Sequence, residues 1–246
     1  MKRIAIVACV FAASAAFAKP PKTVGGPPPA CGLKAMPLAV GNTWTWKAGA
    51  ATVTLKVVEV TPGKDAAGKP NATIGVEELY QGRVVKNQLT CSAQGLTVPL
   101  ESILFSGEPG GPVAMAYSVT AHDNVTLVND AGIIDGNGWI ERVKADVTRE
   151  DAGKAGAKHA AAKLELERHV HVEPGTTEVV TTLGQWKNAQ KIVFELRGRG
   201  EVDPEKTEIP IKRPGVFYVV KGLGMVKIDD TFDKTWELTE TNLIAK

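Results

Sequence analysis

The feature that most restricts what this chain can fold into is a side-chain period of two. Residues 52–60 read TVTLKVVEV, with Val53, Leu55 and Val57 alternating against Thr52, Thr54 and Lys56. Alternation puts one set on each face of an extended strand, and the β-branched content suits a half-buried pleated surface. Comparable runs occupy 72–80, 83–91, 96–100, 113–120, 125–129, 139–147, 163–173, 177–183, 190–196, 216–221, 225–229 and 235–242. Turn chemistry separates them. Gly82 in Tyr80-Gln81-Gly82-Arg83 supplies the positive φ of a primed hairpin turn, and Glu173-Pro174-Gly175-Thr176 reads as a Pro-Gly turn. The expected fold class is all-β: a single strongly curved antiparallel sheet, a half-barrel or open barrel, because so many strands cannot stay flat. One excursion interrupts it, the Ala-rich stretch 151–162, DAGKAGAKHAAA, expected to be partly helical or disordered because Gly153 and Gly156 weaken any helix there.

Three regions follow along the chain. Residues 1–18 carry Lys2 and Arg3, an apolar stretch and an Ala16-Phe17-Ala18 cleavage site, the pattern of a signal peptide removed on export. Residues 19–32, KPPKTVGGPPPACG, form a Pro/Gly-rich linker suited to extended geometry. Residues 33–246 form the antiparallel β domain. Removing the signal takes two of 29 basic residues and none of 27 acidic ones, so the mature chain is neutral. A neutral domain has no electrostatic case for nucleic acid, and no stretch of the mature chain approaches the ~18 apolar residues of a membrane span. The expected location is therefore periplasmic or secreted. A lipoprotein-like box ends at Cys9, but too few apolar residues precede it for the roughly 7–15 of a signal core.

Cysteine usage agrees with export. Cys9 leaves with the signal, and Cys31 and Cys91 remain as an even pair, expected to form a disulfide that closes a long loop and stabilises the fold by ~4 kcal/mol. No spacing of zinc-site type accompanies them.

Two groups of residues are candidates for a site. In Lys163 to Glu173, KLELERHVHVE, a strand places Leu164, Leu166, Arg168, Val170 and Val172 on one face. Glu165, Glu167, His169, His171 and Glu173 then lie on the other. His169 and His171 with Glu167 and Glu173 are candidate metal ligands, since imidazoles and carboxylates suit zinc or copper. Ligands two apart on a strand sit ~7 Å apart, so a neighbouring strand would have to complete the site. The plainer reading is a solvated strand face. Trp44, Trp46, Trp139 and Trp186 are candidate apolar-ligand contacts; Trp44 and Trp46 stand at i, i+2 and share a face, where they serve either as a core plug or as part of a groove. The acidic groups at Asp229, Asp230 and Asp233 and at Asp135-Gly136-Asn137 lack calcium-loop spacing and read as turns. His122-Asp123 reads as a loop pair, the glycines of 107–112 do not form a phosphate cradle, and no nucleophile or metalloprotease motif occurs. No catalytic residue and no cofactor are expected, and the chain is not read as an enzyme.

Three segments together resemble a family of uncharacterised bacterial secreted proteins and lipoproteins. Residues 36–46, MPLAVGNTWTW, resemble its PL-x-x-G-x-x-W-x-Y opening. Residues 183–192, LGQWKNAQKI, resemble a G-x-F-x-n-a-x-K-V segment with Trp186 in place of Phe. Residues 221–227, KGLGMVK, resemble a G-x-G-L-V-K close with Met225 in place of Leu. The resemblance implies a curved sheet similar to lipoprotein-carrier half-barrels, an envelope address and no catalytic residues. The long acidic and His-bearing segment 149–173 departs from the short hairpin expected there. The resulting expectation is an exported, non-catalytic envelope protein whose partner is a lipid or apolar small molecule held on the concave face. The alternative is a structural module binding another envelope protein, and a third reading uses His169 and His171 for metal or catalysis.

Overall fold

The computed structural model describes residues 31–92, 95–99, 102–107, 117–121, 125–129, 138–149, 161–202, 207–230 and 233–244. Residues 1–18, read above as a signal peptide, most of the expected linker, the Ala-rich excursion up to residue 160, His122-Asp123 and Asp135-Gly136-Asn137 lie outside them.

Among the described residues fourteen strands carry the fold: β1 (Thr43–Ala48), β2 (Ala51–Lys64), β3 (Pro70–Tyr80), β4 (Arg83–Ser92), β5 (Gly95–Val98), β6 (Tyr117–Ala121), β7 (Val125–Asn129), β8 (Trp139–Arg149), β9 (Ala161–Val172), β10 (Thr177–Thr181), β11 (Gly184–Val202), β12 (Thr207–Val220), β13 (Gly224–Asp229) and β14 (Thr235–Thr241). They form one antiparallel sheet in the order β6-β8-β9-β11-β12-β13-β14-β1-β2-β3-β4-β5-β7, with β10 pairing β11 off that path. The expected curved antiparallel sheet is what the chain builds, and it is not closed into a barrel by a continuous hydrogen-bond ladder.

How nearly it closes follows from its margins. Strands alternate in direction along an antiparallel path, so its first and last members, β6 and β7, run the same way. They are also consecutive in the chain: Ala121 and Val125 are separated by no more than about 14 Å of extended backbone. β6 and β7 thus share one direction, the first paired to β8 and the second to β5. β7 also lies against β8, so the sheet curls until its two margins come close. β9 and β10 likewise share one direction. Both run antiparallel to β11, at Ile192–Val202 and Gly184–Ala189 respectively. The Pro174-Gly175 step, with Gly175 at φ 82°, is therefore a jog within one strand direction rather than a hairpin. The other turn read from sequence is a hairpin: Gln81 and Gly82 have φ 48° and 77°, and Tyr80 pairs with Arg83.

The inward face repeats the alternation. Val53, Leu55 and Val57 on β2, Ala72, Ile74 and Val76 on β3, and Leu89 and Cys91 on β4 are buried. One helix turn, α1 (Ile103–Ser106), was not legible from periodicity, being only four residues long. The Ser102 side chain caps it by accepting from the Leu104 N–H. The buried Glu78 carboxylate of β3 accepts from Ser102 Oγ at 2.6 Å, Ile103 N at 3.0 Å and Asn87 Nδ2 at 3.2 Å. Those donors offset the desolvation of a charge placed at an inward position.

β11 and β12 run far past their expected ends, and Pro210 and Pro214 explain why β12 was read short. Proline is excluded from a strand paired on both sides. β12 pairs with β11 over Thr207–Val219 but with β13 only at Val216–Val220. Among the described residues its first nine positions thus have a neighbour on one side alone. Pro210 and Pro214 lie in this one-sided stretch, where a strand tolerates a missing N–H and where proline leaves an edge that a second chain pairs with poorly. Replacing both with Thr is expected to leave the fold intact but to make the mass in size-exclusion light scattering rise with protein concentration, relative to the unsubstituted chain. A mass unchanged from that of the unsubstituted chain would contradict this account of the edge.

Candidate functional site

The concave side is occupied by the chain itself. Trp44 and Trp46 project inward from β1 and are fully buried. β14 runs beside β13 only at Lys227–Asp229 and then pairs with β1, so it does not reach the first half of β13. Into that split the two indoles reach: Trp44 Nε1 donates to the Leu223 carbonyl at 2.6 Å and Trp46 Nε1 to the Met225 carbonyl at 2.9 Å. Donors two residues apart thus meet acceptors two residues apart, and side chains stand where a neighbouring strand's N–H groups would. Gly224, between the two acceptors, has a φ of 95° that strains any L side chain, and a Cβ there would also crowd Met36 Cγ at 3.1 Å.

Met36 belongs to a strap that plugs the same space. Cys31, Leu33, Ala35, Met36 and Leu38 are all buried, although residues 31–38 form no strand. The Cys31–Cys91 disulfide fixes one end to β4, with the two Cα atoms 5.6 Å apart. Gly222 N–H donates to the Lys34 and Ala35 carbonyls, and Asn42 Nδ2 donates to the Pro37 carbonyl at 2.8 Å. Further along the interior, Arg168 of β9 is fully buried with its guanidinium 4.9 Å from the Phe194 ring centre, and Phe194 stacks on Phe217 at 4.7 Å. Gly215 permits this, because a Cβ there would collide with the Phe194 ring. A planar, delocalised cation on an aromatic face is a reason for Arg rather than Lys at this position.

The convex face of β8, β9 and β11 is a charge ladder. Glu165 takes Lys144 Nζ at 3.4 Å and Arg199 Nη2 at 2.9 Å; Glu167 takes Arg142 Nε at 2.9 Å and His169 Nε2 at 3.1 Å. Glu195 takes Arg197 and, at 3.6 Å, Lys212, while Glu173 takes Lys191 at 2.7 Å. Arg199 beside Glu165, Arg142 beside Glu167 and Arg197 beside Glu195 hold those carboxyls below the ordinary carboxylate range, and Glu173 raises the Lys191 ammonium. Between Arg142, Lys144, Glu165, Glu167 and Arg199, over Gly198, lies a shallow trough of about 360 Å³.

Among the residues singled out from sequence, Trp44 and Trp46 share one environment. Trp186 is buried elsewhere, its Nε1 donating to Thr181 Oγ1 at 3.1 Å, and Trp139 is half-buried on β8 opposite Val170. Trp236 is buried too, donating to Asp230 Oδ2 at 2.9 Å. Asp230 also accepts from the Lys234 N–H, as a turn residue does. Glu167 and Glu173 are engaged in the ion pairs above, His169 is hydrogen-bonded to Glu167, and His171 points to solvent. Among the described residues no group of three or more His, Cys, Asp and Glu side chains is placed to hold a metal ion, and no helix is long and apolar enough to cross a membrane. Arg168, Glu78 and the trough cations were not singled out. The first two had a signal, a charge at an inward position of an alternating strand. The trough depends on pairing between strands distant in sequence, which no local pattern carries.

With this geometry described, comparison with known proteins adds a fold likeness. The crystal structure of a "putative lipoprotein" from Parabacteroides distasonis superposes with a TM-score of 0.55 at 14% identity, over 86% of this chain and 99% of that one. A "putative exported protein with YmcC-like fold" from Bacteroides fragilis gives a TM-score of 0.47 at 12% identity, over 87% and 100%. At such identities the first likeness is one of fold alone, and nothing rests on the second. No family model matches the chain, nor does any curated protein by sequence.

Trp46→Phe keeps a ring in the core but leaves the buried Met225 carbonyl without its donor. It is expected to lower unfolding free energy by ~1–3 kcal/mol, and Trp44→Ala by ~3–5 kcal/mol, in urea titrations. Losses within ~0.5 kcal/mol would show that the two indoles do not hold β13. Reduction of Cys31–Cys91 is expected to cost ~4 kcal/mol in the same assay, by freeing a 60-residue loop in the unfolded chain.

Proposed function

We propose that this chain is an exported, non-catalytic envelope protein that works as an interaction module, binding another envelope component through its outer surface. The observation that carries the reading is the filled concave side. A sheet that carries an apolar ligand keeps its concave face open to receive one. Here Trp44, Trp46, Trp236 and the 31–38 strap occupy that side, and each buried indole donates to an acceptor of its own chain. This favours the surface-binding reading over the apolar-groove reading of the tryptophans.

Export is supported by the signal-like residues 1–18 and by a disulfide, which persists in oxidising compartments. The fold likeness to a protein called a "putative lipoprotein" is in keeping with an envelope address. The non-catalytic part of the reading rests on the absence of any nucleophile–base or metal motif in the sequence and on the structural roles of the conspicuous charged groups. Glu78 caps α1, Asp230 holds the β13–β14 turn, and His169 joins the ladder through Glu167.

Native mass spectrometry of the protein purified from its own host tests this directly. The expected species is the 228-residue mature chain (246 less 18) with its disulfide and no added mass in the lipid range. Mild cross-linking before lysis is expected to give one discrete heteromeric species. A stoichiometric lipid-range adduct, lost on Trp44→Ala, would instead establish the apolar-ligand reading.

A further inference from the structure

We propose that the trough on the convex face of β8, β9 and β11 is the docking site for an extended acidic peptide segment of the partner, with carboxylates at alternate positions. This rests on the interaction-module reading and names the surface it would use.

The mature chain is neutral, yet positive charge is gathered here. Five cations, Arg142, Lys144, Arg197, Arg199 and Lys212, share three carboxylates, Glu165, Glu167 and Glu195. The trough itself sets three cations, Arg142, Lys144 and Arg199, against two carboxylates, Glu165 and Glu167, a local excess of one positive charge; the same face continues beyond it with Asp146, Lys163 and Glu201. The cations lie largely in solvent, with Arg142 81%, Lys144 65% and Arg199 58% exposed. Arg142 meets Glu167 through Nε. Bridging carboxylates also organise these side chains: a free Lys or Arg loses rotamer freedom on binding, whereas one already held by Glu165 or Glu167 has lost much of it.

The spacing selects the partner. Register places Arg142 opposite Glu167 and Arg197, and Lys144 opposite Glu165 and Arg199. In these two rows basic residues therefore flank an acidic pair, and on each flanking strand the two cations are two residues apart, roughly 6.8 Å. An extended peptide with an acidic residue at every second position repeats that distance along its own backbone, so its carboxylates meet such a pair in step. A membrane of anionic lipids has no such register and would face Glu165 and Glu167 as well, so the mixed pattern fits a peptide better. Gly198 floors the trough because a Cβ there would collide with the Glu165 carbonyl.

The test is fluorescence anisotropy of the full mature, oxidised protein with labelled peptides. One is an alternating Glu–Thr peptide, the other its block isomer of equal length and charge. The alternating peptide is expected to bind more tightly, with affinity falling as salt rises. Arg142→Glu with Lys144→Glu is expected to weaken it by roughly tenfold or more. Lys47→Glu with Lys56→Glu, which makes the same change in net charge on β1 and β2, is expected to leave it unchanged. Should the charge-reversed protein fail to fold, Arg142→Gln with Lys144→Gln serves for the same comparison. Equal binding of both isomers, insensitivity to the trough variants, or binding only to phosphatidylglycerol vesicles would each overturn the proposal. If the peptides fail while cross-linking still yields a discrete heteromer, the trough is wrong and the interaction-module reading stands.

Discussion

Two indole N–H groups hold the architecture together at its weakest seam. β13 loses β14 as a neighbour partway along its length, and a strand edge abandoned inside a core would bury carbonyls without donors. Trp44 and Trp46 answer that need in kind, because side chains two apart on a strand and carbonyls two apart on a strand share one spacing. Their ring area fills the split while their nitrogens complete the ladder. A Phe pair would fill it without completing it, and a Thr pair would donate without filling.

The strap, the disulfide and the glycines follow from that arrangement. With the indoles lying across the split, the remaining space is closed by Leu33, Met36 and Leu38, and Gly224 provides the clearance at which Met36 and Trp44 meet β13. A segment without strand pairing has little of its own to hold it, and Cys31–Cys91 ties it to β4. The curled sheet and its plug form one construction. Its inside is committed to folding, and strand register arranges the charge on the convex face.

Much of this was legible in the sequence. The period of two located nearly every strand, the inward set on β2 and the two faces of β9 are as alternation places them, and the even pair of mature cysteines is bonded. What stayed hidden was non-local. Nothing in the i, i+2 spacing of Trp44 and Trp46 distinguishes a ligand groove from a stand-in ladder, because the deciding acceptors lie 179 residues away in the chain. The lengths of β11 and β12 were concealed by Pro210 and Pro214, whose tolerance depends on an edge that only topology creates. The Pro174-Gly175 step looked like a hairpin turn, since a jog and a turn use the same residues. The trough cations belong to three strands, and local reading gave them no common address.

Trp44 and Trp46 are bonded to β13 rather than available to a ligand, a difference that indole hydrogen exchange reads out. In ¹H–¹⁵N spectra of the oxidised protein transferred to D₂O, the Nε1–H signals of both residues are expected to persist on the timescale of core amides. They are also expected to remain unshifted by a fatty acid. Rapid loss of both signals, or a saturable shift on adding the fatty acid, would mean that the concave face is open and that the tryptophans serve a ligand instead of the fold.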